Sequence, residues 1–291
     1  MFVLSYLALS FLQEDSTPRT MLWVCKHGIV SMLARMLDST RDFTVIAKDR
    51  KTNLSKAAQS QVADLRALVE KCPAFLGGNV KVISPQILAL KVLDGIVRRS
   101  RGYGSSSEIL SRSALRGLVE ILGPFSASTE YPRSLQTHGL QLLELPVSTL
   151  EAYTMGGYGS LEAQVSNDEL VSLAKLFSVV SSWTCDVDLG PVLLLLLRLD
   201  INITNNRPSA CEKLSDSSFI ASLVALIKIK FEALSGALEE QERLLSVDLL
   251  VLSLGLMMNL AEFSSKARAV VGVQGSFPYF TCVISFMLIV N

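Results

Sequence analysis

The sequence carries no excess of either charge: 27 Lys and Arg balance 27 Asp and Glu. Whole-molecule attraction to phosphate needs a cationic surplus, so no direct nucleic-acid binding is expected. Histidine is nearly missing, with only His27 and His138 present. No Cys-x-x-Cys occurs among Cys25, Cys72, Cys185, Cys211 and Cys282, so a zinc site is not expected either. The cysteines are odd in number and widely spaced, which reads as buried thiols in a reducing compartment. The two glycosylation sequons, at Asn53 and Asn202, are then chance matches. Aromatic residues make up only 7% of the chain, and strands draw on aromatic and β-branched side chains, which disfavours a sheet sandwich. Signatures of catalysis are also missing. There is no Gly-x-Ser-x-Gly, Gly156, Gly157 and Gly159 lack the Lys-Ser/Thr of a phosphate loop, and Gly102 and Gly104 lack the third glycine of a dinucleotide fingerprint. Glu239, Glu240 and Glu242 read as a solvated helix start, where acids favour the dipole. The expectation is a non-enzyme, with no catalytic residue, cofactor or metal.

What the chain has in abundance is leucine, roughly one residue in six, within a composition that is 49% hydrophobic. A leucine-rich, aromatic-poor chain of 291 residues favours stacked helices. Apolar periodicity and end signals predict helices at about 18–38, 55–71, 85–99, 107–122, 133–144, 147–155, 168–183, 190–204, 217–236 and 240–264. Breaks are expected at 73–79, 101–107, Gly123-Pro124, 156–160 and 205–209. In 85–99, Ile87, Leu90, Leu93 and Val97 form an apolar stripe, while Lys91, Asp94 and Arg98 make a wet face. Helices 190–204 and 240–264 are apolar all round, so both are expected to be covered on every side. The expected fold is all-α, a superhelix of HEAT- or armadillo-like helical repeats.

A faint internal repeat accompanies this pattern. Leu199-x-x-Asn202-Ile203 resembles Leu256-x-x-Asn259-Leu260, with weaker echoes centred on Gly95 and Ser148, giving spacings of 53, 54 and 57 residues. Asn202 and Asn259 are expected to be structural, tying a helix to the adjoining turn. At the chain start, Met1 to Leu12 is apolar but lacks a basic flank and is too short to span a bilayer. Val270 to Val290 is uncharged over 21 residues and follows Lys266 and Arg268, so a tail-anchored membrane protein is one alternative reading. A generic armadillo-like adaptor is another.

Three stretches resemble a known family: Glu14 to Leu37 (EDSTPRTMLWVCKHGIVSMLARML), Leu193 to Glu212 (LLLLLRLDINITNNRPSACE) and Val247 to Arg268 (VDLLVLSLGLMMNLAEFSSKAR). They resemble the C-terminal domain of the wings apart-like (WAPL) cohesin release factors in their fungal form. The resemblance implies a non-catalytic HEAT-like protein of the nucleus and chromatin. Its implied partners are the cohesin ring subunits and a Pds-type cohesin regulator, and its implied role is release of cohesin from chromatin, hence control of sister chromatid cohesion. The family's long N-terminal extension and its helices beyond the third stretch are not recognisable here. The expected organisation is therefore a repeat domain over 1–271, incomplete at both ends, and a separate apolar tail over 272–291. The turn after the first strong repeat carries Asn205, Asn206 and Arg207, and the end of the second carries Glu262, Lys266 and Arg268. If the two motifs are equivalent places in stacked repeats, these six residues share one side and are candidates for partner binding. Arg207 is the leading anchor, since its planar fork can hold a carboxylate in two places.

Overall fold

A computed structural model describes residues 85–99, 110, 112–132, 135, 140–155, 165–183, 187–236 and 239–273. Among these residues the chain forms helices and turns and no strand, an all-α helical repeat fold. The helices are α1 (Pro85–Arg99), α2 (Arg112–Ser126), α3 (Gln141–Met155), α4 (Asn167–Ser182), α5 (Gly190–Thr204), α6 (Pro208–Leu214), α7 (Ser217–Leu234), α8 (Glu240–Phe263) and α9 (Ser265–Val273). The expected helices at 18–38 and 55–71, the breaks at 73–79, 101–107 and 156–160, and residues 274–291 lie outside the described residues. The chain divides into two compact units, one of Met1–Leu118 with Arg133–Tyr158, the other of Val119–Pro132 with Gly159–Asn291.

In the first unit α1 packs on α3. Ala89, Leu90, Val92, Leu93, Ile96 and Val97 of α1 and Leu143, Val147, Leu150, Ala152 and Tyr153 of α3 are buried. The polar face of α1 is only partly the wet face that its sequence suggested: Arg98 is exposed, while Lys91 and Asp94 are half-buried. Arg98 Nε lies 3.1 Å from each Asp94 carboxylate oxygen. Arg98 Nη2 donates to Ser148 Oγ at 2.5 Å and lies 3.5 Å from Glu151 Oε2, and Ser148 Oγ donates to Asp94 Oδ1 at 2.6 Å. Lys91 stands opposite Glu144, and burial lowers the lysine pKa and raises that of the acid, each shift opposed by the charge of the other. The physical reason is pairing. Lys91, Asp94 and Arg98 meet Glu144, Ser148 and Glu151, a second polar stripe on a neighbouring parallel helix, and each satisfies the other.

Two prolines also behave differently from expectation. Pro124 and Pro146 lie inside α2 and α3, where breaks or gaps between helices were expected. Each removes one backbone bond. Around Pro146, Leu143, Val147 and Leu150 are all buried, and this packing holds the helix on both sides of the loss. At the end of α2, Ser126 Oγ donates to Gly123 O at 2.8 Å and Ser128 Oγ to Pro124 O at 3.0 Å, so terminal carbonyls find donors.

The second unit centres on α8, which packs against α5, α6, α7 and α9, while α4 packs against α5, α6 and α7. Its helix starts follow local chemistry. Ser166 and Glu169 form a reciprocal capping box at α4, Asp216 Oδ1 accepts from Ser218 N at 2.7 Å at α7, and Pro191 and Pro208 open α5 and α6. Trp183 closes the α4 end, with Nε1 donating to Ser128 O at 3.2 Å and its ring edge-on to Tyr131 at 5.7 Å. Two short helices, α6 and α9, were not anticipated. α9 runs through Gly272 to Val273, so the boundary drawn at 271 falls within a helix.

The expectation that α8 is covered on every side is not met. Leu249, Leu250, Leu254, Leu256, Met257 and Leu260 are buried, but Leu244, Val251 and Met258 are 58%, 39% and 64% exposed. Four packed neighbours enclose most of a 24-residue helix and leave one stripe outside. Helix α5 has a narrower opening, with Pro191 and Arg198 exposed.

Candidate partner-binding surface

The candidate surface is built where α5 and α8 end. The two helices are joined by polar contacts between residues more than fifty positions apart. Asn259 Nδ2 donates to Thr204 Oγ1 at 3.2 Å and to Ile201 O at 3.5 Å. Thr204 Oγ1 donates in turn to Asp200 O at 2.7 Å. The buried Cys211 thiol lies 3.3 Å from Thr204 O and 3.4 Å from Asn259 O, so it serves as a weak donor as well as a small apolar group. Asn202 is half-buried on α5.

Beyond Thr204 the backbone reverses. Asn205 caps α5, its N–H donating to Ile201 O at 2.9 Å. Asn206 adopts φ 54°, the left-handed region that asparagine tolerates better than most side chains. Both asparagines are exposed, and Asn206 Nδ2 donates to Asn205 Oδ1 at 3.3 Å. Arg207 is half-buried at the start of α6, and its Nη1 is enclosed without a hydrogen-bond partner. Among the described residues no carboxylate forms an ion pair with it.

The second set lies at the α8–α9 junction, at the same end of the α5–α8 pair. Two of its three residues are engaged within the chain. Lys266 Nζ is 3.8 Å from Glu212 Oε2. Arg268 Nη1 donates to Ala261 O at 2.8 Å and Glu262 O at 3.1 Å, closing the last carbonyls of α8. Glu262 itself is exposed. Glu212, on the α6 helix that the sequence did not single out, joins the two sets. Its Oε1 accepts from Ser265 N at 3.1 Å and Ser265 Oγ at 3.4 Å, tying α6 to the start of α9. The signal for Glu212 was its place one turn past Pro208, a proline that starts a helix rather than only ending one.

Asp200 was also missed. It is 1% exposed on α5, its Oδ2 has no hydrogen-bond partner, and burial raises its pKa well above the ordinary carboxylate value. A charge set in the run LLLLLRLD was the available sign. Among the described residues no three His, Cys, Asp or Glu side chains are grouped to hold a metal. What the junction can do is hydrogen-bond a protein surface, through two exposed amides and a guanidinium with no carboxylate of its own.

The family model described as wings apart-like protein regulation of heterochromatin (WAPL) matches residues 1–267. The chain belongs to the WAPL family. No curated protein and no solved structure matches it. The match covers both strong repeat motifs and the α5–α6 turn, and ends inside α9, between Lys266 and Arg268. WAPL is a family of non-catalytic regulators acting on heterochromatin.

Proposed function

We propose that this WAPL-family chain is a non-catalytic scaffold that binds cohesin and promotes its release from chromatin in the nucleus. The family match over residues 1–267 is the observation that carries this reading. The matched residues are read as one repeat domain that runs on through the end of α9, with the residues after it as a tail. The mechanism is differential binding: the scaffold holds the ring in a state from which it opens, and no bond is made or broken by the scaffold itself. The partners are the cohesin ring subunits and a Pds-type regulator. Arg207, Asn205 and Asn206 form the contact, with Glu262, Lys266 and Arg268 beside them. Arg207 is favoured as the anchor because it is the cation of the six with no acceptor among the described residues, so a partner carboxylate binds the open side of its guanidinium without displacing an existing bond.

The test is co-purification of the tagged full chain with cohesin subunits from nuclear extract, repeated with Arg207→Glu and Lys266→Glu together. The expected result is loss of cohesin with a melting temperature within a few degrees of wild type. Retention of cohesin by the double variant removes this surface. Absence of cohesin from the wild-type preparation removes the function itself.

A further inference from the structure

The outward stripe of α8 has features that packing among the described residues does not require. Leu244, Val251 and Met258 recur every seven residues and are 58%, 39% and 64% exposed. Seven residues are nearly two helical turns, so the three side chains stand in a row about 21 Å long. Glu240, Asp248 and Glu262 lie in the same row and are exposed, and no Lys or Arg interrupts it. Gly255 occupies the row between Val251 and Met258. A Cβ there meets nothing closer than Ile201 Cδ1 at 3.8 Å, an ordinary contact, so the fold has room for alanine. Glycine inside a helix is unfavourable relative to alanine, and packing among the described residues gives no reason for it. A half-buried glycine within an apolar row lets another backbone approach closely.

We propose that this stripe is a docking site for a basic amphipathic helix of a partner protein. The occupant carries apolar residues seven apart to cover Leu244, Val251 and Met258, a small gap or bare backbone over Gly255, and Lys or Arg opposite Glu240, Asp248 and Glu262. Charge decides between occupants. A second copy of this chain would set carboxylates against carboxylates, and an anionic lipid surface would be repelled by the same three acids. A cationic helix satisfies both the apolar row and its acids. The site shares Glu262 with the surface proposed above but not the Asn205–Arg207 turn, and Val251→Glu and Gly255→Leu touch no residue of that surface.

The experiment uses the full chain and two designed 21-residue helical peptides, identical in their seven-residue leucine row, one flanked by lysines and one by glutamates. Fluorescence anisotropy is expected to give at least tenfold tighter binding of the lysine peptide. Val251→Glu should weaken it tenfold or more, with the helical circular dichroism unchanged. Gly255→Leu should weaken it similarly while keeping the row apolar. Asp248→Lys with Glu262→Lys should reverse the preference between the peptides. Equal binding of both peptides, or undiminished lysine-peptide binding by Val251→Glu and Gly255→Leu, overturns the proposal. So does concentration-dependent dimerisation, or binding to neutral phosphatidylcholine vesicles, that Val251→Glu abolishes, since the occupant is then a second copy or a membrane.

Discussion

Replacing Asp200 by asparagine keeps the shape of the side chain and removes its titration. In the folded chain this carboxyl is buried, its Oδ2 lacks a partner, and burial alone accounts for its raised pKa. The unfolded chain ionises it near the ordinary value of 3.8. Above that value the folded side chain still holds a proton that the unfolded one has lost. Unfolding then releases a proton, and rising pH favours the unfolded state. The contribution of Asp200 is thus fully present below its unfolded pKa and is lost as pH rises through the folded one, at up to about 1.4 kcal/mol per pH unit. An unpartnered buried polar group costs a further 1–3 kcal/mol, roughly the same at every pH and for either side chain. The diagnostic is therefore the slope and not the offset. Urea unfolding followed by far-ultraviolet circular dichroism, at pH 5, 6, 7 and 8, should show Asp200→Asn gaining on wild type as pH rises. Taking the difference between the two proteins cancels other titrating groups, including Glu144, which is shifted in the same direction. A difference that stays flat over this range, or shrinks with rising pH, refutes the account of a desolvated, proton-holding carboxyl.

Arg98→Met should destabilise the first unit by about 2 kcal/mol, since it leaves Asp94, Ser148 and Glu151 facing one another without the cation that bridges them; a loss under about 0.5 kcal/mol in urea melts would mean the seam is solvated. Asp216→Ala should cost about 1 kcal/mol at pH 7 through the lost cap of α7. Hydrogen bonds from Ser218 lower the Asp216 pKa, so its contribution exists above the unfolded value and disappears as pH falls through the folded one. The penalty of Asp216→Ala, measured by thermal melts, should accordingly vanish in strong acid. Gly255→Ala should raise stability by about 1 kcal/mol, because the site has room for a methyl group and helix propensity improves; a destabilised variant would show that α8 needs its glycine for internal packing.

The long helices were legible where punctuation and periodicity agreed. Helix 85–99 starts at a Ser-Pro signal, and 190–204 starts at Gly190-Pro191 and ends before two asparagines; both match at each end. Helices α6 and α9, of 7 and 9 residues, are too short for an apolar period to register, and Pro208 and Gly272 read more naturally as breakers. Pro124 and Pro146 misled for a related reason: local propensity argues for a break, while burial of the surrounding leucines holds the helix together. The Lys91–Asp94–Arg98 face was misjudged because one stripe was considered alone. Glu144, Ser148 and Glu151 follow 53, 54 and 53 residues later, and two polar stripes at about one repeat length are a legible sign of mutual pairing. For the candidate surface, sequence placed Asn205, Asn206 and Arg207 on a turn. It could not reveal that Glu212 draws Lys266 into an ion pair, because that contact depends on how α6 lies against α9.

The cross-links between helices join residues 46 to 58 positions apart, from Ser126–Ser172 to Ile201–Asn259. During synthesis a helix that has left the ribosome must therefore wait for its partner to be made. At about 5–20 residues per second, a delay of some 55 residues lasts roughly 3–11 s. Helix α1 can pass that interval with Lys91, Asp94 and Arg98 turned to water. Helix α5 has less protection: α4 and α6 cover part of it, but the apolar face that packs on α8 stays uncovered until α8 emerges. The nascent chain is most vulnerable to aggregation in that window, and a slowly translated or chaperone-recruiting stretch does most good between codons 204 and 240.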